Sequence, residues 1–134
     1  APAARRVEAE VSGPAPLSAQ AISALPFRLD LNGAEIIERS AGPAAKVYSV
    51  RQGEAYLLMI YAGPQSQYPV YDGEQASVAG RVTTIVLQDG KRVAAEHLFR
   101  REDSSPADIH VWLMVTDGPQ AALAERIGQS VDPR

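Results

Sequence analysis

The sequence predicts an α+β domain: a single antiparallel sheet of about six strands, with a short N-terminal helix and a C-terminal helix. Three observations carry this reading. Two hairpins are marked by turn signals, Gln52-Gly53 and Asp89-Gly90, each between apolar runs. Apolar and polar residues alternate from Phe27 to Leu31, and every second residue from Ile109 to Val115 is aliphatic. Helical spacing of apolar residues is confined to the stretches around Leu17 to Leu25 and Pro119 to Gly128.

The 134 residues suit one domain, and an apolar content of 46% supplies a core. The formal charge is only −3, and Arg5-Arg6 and Arg100-Arg101 are isolated pairs beside acidic residues, so nucleic acid is not an expected partner. The chain has no cysteine, which excludes disulfides, thiolate zinc sites and thiol nucleophiles. The longest apolar run, Tyr56 to Ala62, is strand-length and far below the ~20 residues of a membrane span. The chain starts Ala1-Pro2-Ala3, which fits a mature protein after signal-peptide removal, a soluble part cut from a membrane protein, or an arbitrary cut. The expected location is therefore extracytoplasmic, periplasmic or secreted, with the N-terminus available as a tether.

Residues 1–16 mix Ala, Pro, Arg and Glu without apolar period and read as a flexible tail; residues 17–134 read as the domain. Ser18 is a good N-cap, Leu17 can pack on Ile22, and Pro26 stops the run, which predicts a helix over Ala19 to Leu25. Phe27, Leu29 and Leu31 then alternate as a half-buried strand, and Ala34 to Glu38 reads as a short second strand after the Asn32-Gly33 turn, with helix as the alternative there. In the first hairpin, Ala45 to Ala62, Arg51 is set opposite Glu54, so that Val47 faces Leu58 and Tyr48 faces Leu57. Its second arm is apolar on both faces, as for the middle strand of a covered sheet.

The second hairpin, Arg81 to Arg100, pairs Gln88 with Lys91. Val82, Thr84, Val86, Val93, Ala95, His97 and Phe99 then share the face expected to be core. Arg81, Ile85, Leu87, Arg92, Glu96 and Arg100 share the other. The last strand, Ile109 to Thr116, separates Ile109, Val111, Leu113 and Val115 from His110, Trp112 and Met114. Pro119 opens a closing helix with Leu123 and Ile127 one turn apart, and Gly128 ends it.

Motifs of the common enzyme classes are missing: there is no Walker loop, GxGxxG, HExxH or GxSxG. Asp108 and His110 stand two apart on one strand face, and His97 could join them on a neighbouring strand. These three are the weak candidates for a metal site, without a further ligand in view; structural or surface histidines are the competing reading. Glu96, between Arg92 and Arg100, reads as a solvated charge ladder. The connection from Gly63 to Gly80 is longer than a hairpin loop needs, and Pro64 and Pro69 stiffen it. Gln65, Gln67, Tyr68 and Tyr71 on it, with Trp112 of the last strand, are the candidate binding residues. The alternative is a wrapping loop whose tyrosines cover the sheet. The face of His110, Trp112 and Met114 is expected to lie under the terminal helix.

Leu29-Asp30-Leu31-Asn32-Gly33-Ala34-Glu35-Ile36-Ile37, then Gly42-Pro43-Ala44-Ala45-Lys46-Val47-Tyr48, then Gly53 and the apolar strand after it, resemble extracytoplasmic domains of bacterial transmembrane anti-sigma factors. Leu123-Ala124-Glu125-Arg126-Ile127 fits the same pattern. Val111-Trp112, Asp117-Gly118 and the loop after Ile60-Tyr61 resemble exosortase-associated periplasmic proteins in placement. Either resemblance implies an envelope protein without obvious catalysis; no cofactor is expected. The leading expectation is a non-enzymatic interaction or sensor domain that meets a protein partner in the envelope. The alternatives are a small-molecule binder with a pocket between sheet and helix, and a metal-dependent enzyme using the two histidines.

Overall fold

The computed structural model describes residues 15–78 and 80–134. The tail expected over residues 1–16 lies outside the described residues up to position 14. The Ser18 hydroxyl accepts the Ala21 N–H at 3.2 Å and opens helix α1, Ala19–Ser23. The helix stops two residues short of Leu25, which is buried in the core instead. Of the alternating stretch after Pro26, only β1, Phe27–Arg28, pairs as a strand; its partner is β9, Asp132–Pro133, at the C-terminus. Leu29 and Leu31 follow as side chains packed against the core rather than as strand.

Seven strands form the main sheet: β2 (Glu35–Ser40), β3 (Lys46–Gln52), β4 (Ala55–Gly63), β5 (Glu74–Val78), β6 (Arg81–Gln88), β7 (Lys91–Arg100) and β8 (Asp108–Leu113). Their order is β2-β3-β4-β8-β7-β6-β5, and every neighbouring pair is antiparallel. The long connection adds β5 at the edge, while the stretch expected as a strand from Phe27 stays out of this sheet and pairs only with β9. The middle strand is β8 rather than the expected β4, since β8 inserts between the two hairpins and pairs with both β4 and β7.

Both hairpin registers depart from expectation. In β3–β4 the turn residues are Gly53 and Glu54, because Gln52 pairs with Ala55, and Gly53 takes a φ of +62°. Glycine tolerates this left-handed backbone at the first position of a two-residue hairpin loop. An irregularity between Val50 and Arg51 then sets Tyr48 against Ile60 and Val47 against Tyr61. In β6–β7 the expected Gln88–Lys91 pair forms, with Asp89 and Gly90 both at positive φ. Beyond a shift between Thr84 and Ile85, however, Thr84 opposes Glu96 and Thr83 opposes His97. A one-residue slip moves a side chain to the other face of a sheet. Thr84 therefore lies with Glu96, and not with His97 as the straight register had it.

Helix α2, Ala121–Ser130, covers one face through Ala124, Ile127 and Gly128. It continues past Gly128, the expected end, for a packing reason: a Cβ there would stand 3.2 Å from Leu113 Cδ2, so glycine permits the close approach. Under the helix, Tyr48, Val50, Leu58, Ile60, Val111 and Leu113 form the core with Phe27. Phe27 meets Tyr48 edge-on at 5.2 Å. On the opposite face, cross-strand pairing aligns Met59, Trp112, Glu96 and Thr84 in one row and Tyr61, His110 and Leu98 in the next.

Candidate functional site

The second face is covered by the chain between β4 and β5. Residues 64–73 run across it as a strap whose polar groups are tied to the strands. Glu96 accepts the Val70 N–H at 2.9 Å through Oε2 and the Tyr71 N–H at 2.9 Å through Oε1. Asp108 accepts the Ser66 N–H at 3.0 Å. The Tyr71 hydroxyl donates to the Leu113 carbonyl at 2.6 Å, and the Tyr68 hydroxyl lies 3.3 Å from Thr84 Oγ1. The Tyr61 hydroxyl donates to the Pro64 carbonyl at the start of the strap. At its end Gly73 is packed so closely that a Cβ would strike the Ile85 carbonyl oxygen.

Glu96 is therefore not the solvated ladder that its spacing to Arg92 and Arg100 suggested. It is 0% exposed, and His110, itself buried, stands 2.7 Å away through Nε2. Burial pushes the Glu96 carboxyl up, but the bonds from His110, Val70, Tyr71 and Thr84 together outweigh it and hold the pKa below the ordinary value. The group is thus a carboxylate, which can only accept, so the imidazole proton facing it sits on Nε2. Nδ1 is then the ring nitrogen that Glu96 does not engage.

Asp108, the first residue of β8, is likewise buried. Burial raises its pKa, and Arg100, with bonds of 3.1 and 3.2 Å, together with Ser66 brings it below the ordinary value. Tyr71 is shifted up by burial and by the nearby Glu96 charge.

Beside the strap opens a cavity of about 500 Å³. Gln65, Gln67 and Val70 form its strap wall; Tyr61, His110 and Trp112 form its floor on the sheet; Ala41 and Val47 close its edge. The His110 ring packs 4.9 Å from Trp112 and 5.5 Å, edge-on, from Tyr68. Of the expected binding residues, Gln65, Gln67 and Trp112 come together on this cavity. Tyr68 and Tyr71 are half-buried and turned to the strands, where they fasten the strap. Trp112 and His110 are covered by the strap, not by the terminal helix, and Met114 is exposed. The cavity consequently lies on the face opposite α2, and not between sheet and helix.

The histidines do not join. His97 opposes Val111 and His110 opposes Leu98, so the two rings leave the sheet on opposite faces. His97 instead contacts Thr83 at 2.9 Å through Nδ1. Burial first, and then the Arg81 guanidinium, push its pKa down to about 4. Among the described residues no group of three or more His, Asp or Glu is placed to hold a metal ion. The described residues also include no helix long and apolar enough to cross a membrane.

Sequence reasoning missed Glu96 and Val70. The one available signal was the length of the strap, which has to cover something; which face it covers is not written locally. Comparison of the chain with protein-family models, with curated proteins and with solved structures returned no match.

Proposed function

We propose that this chain is a non-enzymatic interaction or sensor domain of the cell envelope, and that the cavity beside the strap receives a segment of a protein partner. The observation that carries the reading is the anchoring of a ten-residue irregular stretch, 64–73, by two buried carboxylates. A long loop held this firmly works as a fixed wall, and fixed walls lower the ordering cost of binding. The wall residues mix aromatic and aliphatic surface with two amides and an imidazole. None is a serine, threonine, lysine or carboxylate, which favours recognition over catalysis. Placement in the envelope rests on the sequence resemblances.

A small-molecule ligand is the second reading, favoured by the cavity volume of about 500 Å³, which lies within the usual range for such sites. The deciding experiment is capture from envelope extract on the native domain and on a Gln65→Ala/Gln67→Ala variant, followed by titration of the purified partner. Both glutamines are exposed, so the variant keeps its fold. A partner bound by the native domain and weakened by the variant supports the reading. Equal binding to both removes the groove from the interface. A rise in melting temperature with a small molecule, and no partner, favours the second reading.

A further inference from the structure

We propose that the groove selects a cationic side chain, an arginine or lysine of the partner segment, and that His110 and Trp112 are the residues that read it. The inference rests on the binding reading above and adds the chemistry of the occupant.

Glu96 is the starting point. Its carboxylate is withdrawn from water and met by Val70 and Tyr71 N–H groups and by His110. Among the described residues its one ion-pair partner is His110, which brings a charge only when protonated. With neutral His110 the negative charge is answered by dipoles alone. Such a charge in a low-dielectric setting is felt across the ring that borders the cavity. In the neutral ring, the Nε2–H bond to Glu96 leaves Nδ1 as an acceptor on a wall residue, backed by an anion. A donor that carries positive charge gains most from that arrangement.

The remaining walls agree. Trp112 and Tyr61 border the same space, and aromatic faces attract guanidinium and ammonium groups. Gln65 and Gln67 add amide oxygens that can accept from a guanidinium fork. No lysine or arginine lines the cavity, so an anionic occupant would meet the Glu96 charge without compensation. The net charge of the chain, −3, points the same way at long range.

Trp112 is the chain's one tryptophan, so its fluorescence and its indole N–H signal report on the groove alone. The test uses capped pentapeptides, four alanines around a central arginine, citrulline or norleucine, titrated into the millimolar range at fixed ionic strength. The arginine peptide is expected to shift the Trp112 signals saturably, with the citrulline peptide weaker by about tenfold. Val70 lines the cavity and is 49% exposed, so charges placed there leave the core untouched. Val70→Asp is expected to tighten the arginine peptide and Val70→Lys to abolish its binding.

Equal response to arginine and citrulline, with Val70→Lys without effect, overturns the cation and leaves the groove standing. No Trp112 response to any peptide overturns it too; in that case the groove falls only if the captured partner also ignores Gln65→Ala/Gln67→Ala.

Discussion

At the scale of single residues, Glu96 does the most. One carboxylate holds two strap amides and orients the imidazole beside the cavity. Glu96→Gln keeps the shape but removes the charge and sets an amide against donors. We expect a loss of about 2–4 kcal/mol in urea unfolding, with amide-exchange protection at Val70 and Tyr71 lost first. Unchanged protection at those two amides would contradict the anchoring role. Tyr71→Phe removes only the bond to the Leu113 carbonyl, and should cost about 1 kcal/mol without altering peptide response at Trp112. Neither role was legible locally. Glu96 has arginines four residues away on both sides, the pattern of an exposed strand face. Its burial comes from residues 26 positions earlier, in the case of Val70, and 14 positions later, in the case of His110.

At the scale of elements, the strap behaves as a part with two fastened ends. Its C-terminal end relies on Gly73, where an added Cβ would strike a backbone carbonyl that cannot swing away. Gly73→Ala should therefore destabilise by about 1–3 kcal/mol and perturb Trp112 fluorescence, whereas Gly53→Ala, with open space around the Cβ, should act only through its left-handed backbone. The hairpins were readable in the sequence because their turns are made by adjacent residues with special backbone needs. Their registers were not, because one irregularity between Thr84 and Ile85 changes the face of everything beyond it. The strap announced itself by its length and its prolines. Its tyrosines looked like contact residues and proved to be fasteners, since a phenol can turn either to a partner or to its own sheet.

At the scale of the whole molecule, the sheet carries buried titratable groups on both faces, and together they set the response to acid. His97, 1% exposed under the helix side, has a folded pKa of about 4 against an ordinary value of 6.5. As pH falls through that window the unfolded chain takes up the proton while the folded chain refuses it. The stability this contributes is complete above about pH 6.5 and lost by about pH 4, a change of roughly 3 kcal/mol. Glu96 and Asp108, both held below their ordinary values, add further loss as pH falls below the usual carboxylate range. Urea midpoints measured from pH 7 to pH 4 should fall steadily, and His97→Gln should flatten the upper part of that decline. A midpoint independent of pH over this range would refute the burial argument.

The sequence by itself determined the class of fold, the two hairpins, the capped first helix, the closing helix and the presence of a long stiffened connection. Each of these depends on period, turn chemistry or capping, which are interactions between near neighbours in the chain. Only the tertiary structure decided that β8 slips between the hairpins, that the strap lies on the face away from α2, and that Glu96 and His110 meet beneath it while His97 points the other way. Those outcomes turn on which distant groups remove a side chain from water and satisfy its bonds, and no local pattern records that.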